Sequence, residues 1–348
     1  MTPLLPAEWA PQSAVLLTWP RADGDFAQWF DQVEKNFVEL AIAITRFEPL
    51  IVSRTQAPDE LKARLVRAGA RADRLFVYAV PSNDVWARDH GPITVFRDRK
   101  PVHLDFGFNG WGSKFDARED DQVTRRLKIA GALEAPVETL EFILEGGGIE
   151  SDGAGTLLTT ERCLLAPTRN PQYDKAQIED KLKRWFGLSR VLWLKRGDLL
   201  GDDTDGHIDT IARFCDPGTI AYQACEDRQD AHFEELRAMA DELAAFRDPF
   251  GKPYKLVPLP LPTPIHDEDG KRLPAGYANF LIINGAVLVP VYGSPLDEEA
   301  LARLRPLFPQ REVIGIDCRA LIHQYGSLHC VSMQIPAAVP SPRSRGEG

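Results

Sequence analysis

A ring of five α/β units is the fold that this 348-residue sequence predicts, and three observations lead to it. Two distant segments, "LLTTERCLLAPTRNP" (157–171) and "LIINGAVLVPVYGSP" (281–295), read alike: two β-rich runs around a polar turn, then a proline-marked loop. Each is followed by a helical pattern and a short apolar run, which makes a unit of hairpin, helix and strand. Near the chain ends, "HCVSMQI" (329–335) and "SAVLLTW" (13–19) suit each other as partners, so one unit is split between the termini. Closing the array there would remove the exposed sheet edges an open one leaves. On the repeat argument alone, a doubly wound α/β sheet with coincidental spacing stays open.

In chain order, "SAVLLTW" leads into a helix near 26–47 and the strand "LIVSR". The second unit is "WARDHGPITVFRDRKPVHLDF", with a helix near 119–132 and a strand near 137–143. In the third, the hairpin at 157–171 precedes "DKAQIEDKLKRWFG", whose apolar residues recur at helical spacing, and then "RVLWL". The fourth comprises "IDTIARFCDPGTIAYQA", a helix near 228–246 and "KLVPLP"; the fifth follows 281–295 with "LDEEALARLRPLF" and "EVIGI".

With 44% hydrophobic residues the chain can bury a large core, and residues 1–336 read as a single catalytic domain. The end 337–348, "AAVPSPRSRGEG", offers nothing substantial to bury and reads as a disordered tail. Against 41 basic residues stand 51 acidic ones, a net charge of -10 that disfavours nucleic acid and anionic lipid as partners and draws cations inward. "MTPLLPAEWAPQSAVLLTW" has neither a basic leader nor an apolar run of membrane-spanning length, which points to the cytoplasm. Five cysteines without a CxxC pair argue against a disulfide framework or a structural zinc site. Cys163, Cys215 and Cys225 read as small buried hydrophobes, and so does Cys318. A homo-oligomer is compatible with the chain, which does not specify one.

If the units share an axis, the polar residues at the head of each meet at the centre. They lie in "NDVWARDHGP", "EGGGIESDG", "TDGHID" and "GSLHC", and bring Asp89, Glu145, His207, Asp209 and Cys330 together. A thiol beside an imidazole can become a nucleophile, but three carboxylates oppose its ionisation unless a cation sits among them. A guanidinium fits: its planar fork of donors matches carboxylates pairwise, and its central carbon is electrophilic. His207 would serve as acid and base. Asp209, two positions on in an extended segment, would project to the same face and accept guanidinium N–H groups. The rival use of "TDGHID" is a metal site, yet the second histidine or closely spaced thiols of zinc patterns are missing.

The chain resembles the agmatine deiminase and bacterial peptidylarginine deiminase family of guanidine-modifying enzymes from "PAEWAPQSAVLLTWP" through "HCVSMQIP". The anchors are "WARDHGP", "LEGGGIESDG", "TDGHIDT", "YANFLIINGAVLVP" and "GSLHC". The resemblance implies a five-bladed α/β propeller with pseudo-fivefold symmetry. It places the nucleophile on Cys330, the acid/base on His207 and guanidinium binding on Asp89 and Asp209. Glu145 then orients His207 or lines the pocket, and Trp86 and Trp111 wall the substrate. No metal or organic cofactor is implied. The expected reaction converts agmatine to N-carbamoylputrescine and ammonia through a thiouronium on the cysteine, with free or peptidyl arginine as the rival substrate. A propeller that merely binds a cation would not need the thiol. Two departures bear on the substrate: "YGSLHC" replaces the family's Gly-Gly-Asn-Ile-His-Cys, and Glu150 stands where a histidine is usual. His329 reads as shaping the turn. Gly146, Gly147 and Gly148 read as close backbone packing, and Asp202, Asp203 and Asp205 as a solvated turn, with Asp205 nearest the site.

Overall fold

The computed structural model describes residues 3–338, so most of the tail, from 339 onward, lies outside the described residues. The first sheet begins with β1 (Gln12–Thr18), crosses through α1 (Phe30–Phe47) to β2 (Leu50–Arg54), then through α2 (Pro58–Ala68) to β3 (Leu75–Ala79). On α1, Val33, Phe37, Leu40 and Ile44 recur every three or four residues and are fully buried, the single face by which an amphipathic helix covers a sheet. The second sheet contains β4 (Ile93–Arg97), preceded by the one-turn α3 (Ala87–His90), and β5 (Lys100–Gly107). After β5 come the turn-like α4 (Gly110–Ser113), α5 (Val123–Ile129) and β6 (Val137–Ile143).

The third has β7 (Ile149–Ser151), β8 (Thr156–Thr160), the short α6 (Glu161–Leu164), α7 (Lys175–Phe186) and β9 (Arg190–Leu194). A capping box between Asp174 and Gln177 starts α7, and Gly187 in the left-handed region ends it. The fourth is β10 (Ala212–Asp216), β11 (Thr219–Gln223), α8 (Phe233–Ala245) and β12 (Lys255–Leu259). The fifth is β13 (Leu281–Ile283), β14 (Ala286–Val291), α9 (Asp297–Leu304) and β15 (Glu312–Asp317). The last strand, β16 (Ser332–Pro336), returns to pair antiparallel with β1, with Leu16 opposite Met333.

Among the described residues there are five sheets, one of four strands and four of three, and each repeats one plan. An antiparallel pair is followed by a parallel pair made through a helix: β4–β5–β6, β7–β8–β9, β10–β11–β12, β13–β14–β15 and β16–β1–β2. The pairing of the chain ends is as the sequence predicts, and a single doubly wound sheet is excluded. One difference is that α2 and β3 extend the first sheet beyond the repeat. The helix expected near 119–132 is shorter, a 3-10 turn at Asp120–Gln122 running into α5. No helix among the described residues is long and apolar enough to cross a membrane.

What this plan does for function lies just ahead of the first strand of each unit. Asp89 is in α3 before β4; Glu145 and a 3-10 turn at Gly146–Gly148 precede β7; His207 and a 3-10 turn at Ile208–Thr210 precede β10. Asn279 precedes β13, and Cys330 precedes β16. These turns touch: Arg88 N–H donates to the Cys330 carbonyl at 3.1 Å, and His329 N–H to the Asn279 carbonyl at 3.2 Å.

Candidate active site

Cys330 is 4% exposed, at the floor of a pocket of about 370 Å³ that is also lined by Asp89, Trp86 and Trp111. Its Sγ lies 3.3 Å from Asn279 Nδ2 and 3.8 Å from Asp209 Oδ2. Burial, then the carboxylates of Asp209 and Asp89, push this thiol well above its ordinary pKa, so without a cation it is a thiol at neutral pH. Asn279 also ties the turn down, since its Oδ1 accepts the N–H groups of His329 at 2.8 Å and Cys330 at 3.3 Å.

Asp89 is buried and accepts from Gly147 N–H at 3.1 Å and from the Trp111 indole at 3.0 Å. Burial raises its pKa to about 6, with Asp209 and Glu145 adding to the effect and His207 opposing it. The Gly147 contact needs glycine, because a Cβ there would lie 2.5 Å from His207 Nδ1 and 2.9 Å from Asp89 Oδ1. His207 is fully buried, its Nδ1 3.6 Å from Asp89 Oδ1. Burial alone would discharge this imidazole, but Asp89, then Cys163 and Glu145, reverse that and lift its pKa well above the ordinary value. Neither ring nitrogen makes a hydrogen bond within the usual distance and angle, though the Cys163 thiol stands close enough to act on its proton.

The segment from His207 to Asp209 is not extended as the sequence suggested. Ile208–Thr210 is a 3-10 turn, closed by Thr210 Oγ1 donating to the His207 carbonyl at 2.8 Å, and the two side chains reach the site from a bend. Trp86 and Trp111 wall the pocket as expected. Trp86 donates its indole N–H to Asp84 at 2.8 Å and presses on Gly326, where a Cβ would fall 2.1 Å from the ring. The backbone of Trp111 is left-handed, at φ 55°, a strained setting that aims the indole at Asp89.

Glu145 is fully buried and does not line the pocket. Both its oxygens lie about the Arg169 Nε, at 3.0 and 2.9 Å, while Arg169 reaches on to Asp205 at 2.7 Å and the Thr204 carbonyl at 2.8 Å. Asp205 thus supports the site through Arg169, whereas Asp203 is itself in the pocket wall. Cys163 is fully buried in the core, as the sequence reading has it, and in addition one donor atom each from Glu145, Cys163 and His207 lie within 4.8 Å of one another. This is the one three-donor group of metal-binding type among the described residues, and it differs from the His207–Asp209 pair that the sequence raised. Arg169 supplies it with a fixed positive charge. Cys225 is only partly buried, while Cys215 and Cys318 are core thiols whose pKa burial pushes up, that of Cys215 to about 12.

One further reading is overturned. His329 does more than shape a turn: its Nδ1 lies 2.7 Å from Asp209 Oδ2 and its Nε2 2.6 Å from Glu8 Oε2. Glu150, like the buried His207 and Asp209, is not in the pocket wall itself; it pairs with Arg213 Nε at 2.7 Å and accepts Phe214 N–H at 3.1 Å. Sequence reasoning missed Glu8, Asp84, Arg169, Arg213 and Asn279. Of these, only Asn279 left a signal, as the polar residue at the head of the fifth unit.

Residues 4–336 match the family model for Porphyromonas-type peptidyl-arginine deiminase. The agmatine deiminase of Stutzerimonas stutzeri is 35% identical over 356 residues, covering 96% of this chain and 95% of that one. Among solved structures, a Porphyromonas gingivalis protein under the provisional name arginine deiminase is 51% identical with a TM-score of 0.90, covering 97% of this chain and 99% of its own. A Cys-to-Ser variant of C. jejuni agmatine deiminase with substrate bound is 34% identical with a TM-score of 0.90, covering 97% and 98%.

Proposed function

Because the chain belongs to the Porphyromonas-type peptidyl-arginine deiminase family, we propose that it is an agmatine deiminase, hydrolysing the guanidinium of agmatine to N-carbamoylputrescine and ammonia. The observation that carries the substrate is the pocket wall above Cys330, which contains Asp25, Asp84, Asp89 and Asp203 and neither lysine nor arginine. Burial raises Asp84 to about 7, with Asp25 and Asp203 adding to it, and raises Asp203 to about 6 with Asp202, against the pull of Lys114, His207 and Lys271. Agmatine brings a cation at each end. Arginine and an arginyl peptide bring a carboxylate or amide that this wall would have to desolvate unpaired.

In the mechanism that this geometry supports, Asp89 and Asp209 accept the guanidinium N–H groups. The bound charge offsets the two carboxylates that hold Cys330 protonated, so the thiol releases its proton to solvent as substrate binds. The thiolate adds to the guanidinium carbon, and the tetrahedral adduct expels ammonia after His207 protonates that nitrogen. This leaves an S-alkylthiouronium on Cys330. The neutral His207 then takes a proton from water as it attacks the same carbon, and the C–S bond breaks to give the ureido product and regenerate the thiol. Glu145, clamped by Arg169, holds His207 from behind rather than touching substrate. Trp86 and Trp111 exclude water around the cation. No step calls for a metal or organic cofactor.

The five like units and the meeting of their leading turns support a five-bladed propeller with the pocket on its axis. The acidic net charge supports a cytoplasmic enzyme acting on a small cation, with neither nucleic acid nor membrane as partner. The test is ureido product and ammonia measured with agmatine, free arginine and an arginyl peptide side by side. Agmatine should show the highest kcat/KM by far, and a clear preference for the peptide would overturn the substrate.

A further inference from the structure

Asp209 is fully buried, and only one of its oxygens is engaged by a hydrogen-bonding group of the protein: Oδ2 meets His329 Nδ1 at 2.7 Å, while Oδ1 has no partner. The other nitrogen of His329 lies 2.6 Å from Glu8 Oε2. Glu8 comes from the segment ahead of β1, 321 positions away, and is buried too. It is fixed by Ile282 N–H at 2.7 Å and by ion pairs to Arg213 at 2.9 Å and Arg88 at 3.5 Å. The trio is therefore a carboxylate–imidazole–carboxylate chain that ends on Asp209 Oδ2 and leaves Oδ1 unengaged.

Its protons can be counted. Burial opposes ionisation of both acids, yet Arg213 and His329 hold Glu8 well below its ordinary pKa, and His329 holds Asp209 below its own. With both acids ionised, two contacts this short need an N–H on each ring nitrogen, which only an imidazolium has. Burial, then Arg213 and Arg88, hold the His329 pKa below its ordinary value on balance, with Glu8 and Asp209 opposing them, so it is the two short contacts that argue for the charged ring. Other titratable and charged groups that face this chain are His207, Asp89 and the Cys330 thiol on the Asp209 side, Glu48 and Arg311 on the Glu8 side, and Glu150 beyond Arg213.

The geometry points to Glu8 and His329 as positioning residues, a relay that pins Asp209 by one oxygen, presents the other to the guanidinium and keeps it charged before the cation arrives. The inference rests on the guanidine-deiminating reading above. It also fits the difference between two neighbouring acids: Asp89, whose nearest imidazole is 3.6 Å away, is raised to about 6, and Asp209, with His329 at 2.7 Å, is held low.

Glu8→Gln tests it. The amide keeps the shape and can donate to the Nε2 of a neutral His329, whose Nδ1–H still reaches Asp209, but it also gives up the ion pairs of Glu8 Oε2 with Arg213 and Arg88, which His329→Asn leaves in place. Two readouts separate the relay from the substrate assignment. ¹⁵N NMR of the imidazoles, which needs no turnover, should show one ring doubly protonated at pH 7.5, assigned by its loss in His329→Asn, and neutral in Glu8→Gln. For whichever guanidine the wild type turns over, the acid limb of kcat/KM should move up by about one unit, the low end of a neighbouring-charge effect. KM at neutral pH should rise about tenfold with kcat little changed. His329→Asn, which keeps a donor near the Nδ1 position, should behave alike, and the double variant should be no worse than either single one. A neutral ring in the wild type, or an unmoved acid limb in both variants with melting temperatures near the wild type, overturns the relay. Failure of every guanidine substrate would strike the functional reading alone, since the NMR result stands apart from it.

Discussion

Replacing Asp89 by asparagine would change one charge at the centre of the site and leave its volume alone. The structure shows why this is not a mild change. Oδ1 accepts from Gly147 N–H and Oδ2 from the Trp111 indole, so an amide must turn its NH2 group toward one of two fixed donors. The remaining oxygen then meets the substrate cation without a charge. Breaking one partner of a desolvated charge pair costs about 2–5 kcal/mol, so kcat/KM for agmatine should fall by roughly 30-fold to several thousand-fold. A second effect has the opposite sign. Asp89 is one of the two carboxylates that raise the Cys330 pKa, and its neutralisation should bring the thiol down, so a neutral alkylating agent should label Cys330 faster at pH 7. The assay is steady-state ureido production beside iodoacetamide labelling followed by peptide mass. A kcat/KM within about threefold of the wild type, together with unchanged labelling, would put Asp89 outside the pocket and refute the reasoning.

The remaining expectations come from the surrounding charges. Lys271, whose ammonium lies 4.1 Å from the centroid of the pocket-lining Tyr325 ring, is the cation a carboxylate-bearing substrate would have to use. Lys271→Ala should leave agmatine turnover unchanged and depress any residual arginine turnover; the reverse pattern in a steady-state comparison would favour arginine. Asp89 must be ionised to bind, so kcat/KM should fall as pH drops through about 6, and a pH–rate profile flat to pH 5 would contradict this. Asp84, at about 7 in the folded chain, favours the fold while protonated and loses that contribution as pH rises through 7. Agmatine should therefore raise the melting temperature of Cys330→Ala more at pH 8 than at pH 5.5. Arg169→Met would leave Glu145 buried without its cation, while Asp205 keeps Lys114, and chemical denaturation should show a loss of about 3–5 kcal/mol, the scale for breaking a buried pair.

What could be read from the sequence was whatever repeats locally. Runs such as "RVLWL" and "EVIGI" announce strands, "DKAQIEDKLKRWFG" carries its own cap and helical spacing, and the terminal partners share an alternation that fits one sheet. The sequence placed Asp89, His207, Asp209 and Cys330 at the heads of units, where the structure brings them together. The repeat template itself hid α2 and β3: "PDELKARLVRAG" has its proline at the start and glycine at the end, but the plan had room for one helix only. The supporting charges were invisible for another reason. Glu8 meets His329 across 321 positions, and Arg169 meets Glu145 across 24 from an irregular loop, and such pairs follow no period along the chain. Cys163 is core, as a lone cysteine usually is. What stayed hidden is its neighbour His207, which reaches it only once the third and fourth units are folded side by side.

The account turns on a covalent bond between Cys330 and the guanidinium carbon. Acid-quenching the enzyme during agmatine turnover and weighing the intact protein tests it directly. A His207→Asn variant, which lacks both the acid that releases ammonia and the base that activates water, should carry little adduct beside the wild type. The prediction is a species heavier by agmatine less ammonia, localised to the peptide containing Cys330 and absent from Cys330→Ser. Turnover that proceeds with no adduct in the wild type, or an adduct on Cys163 instead, would contradict it.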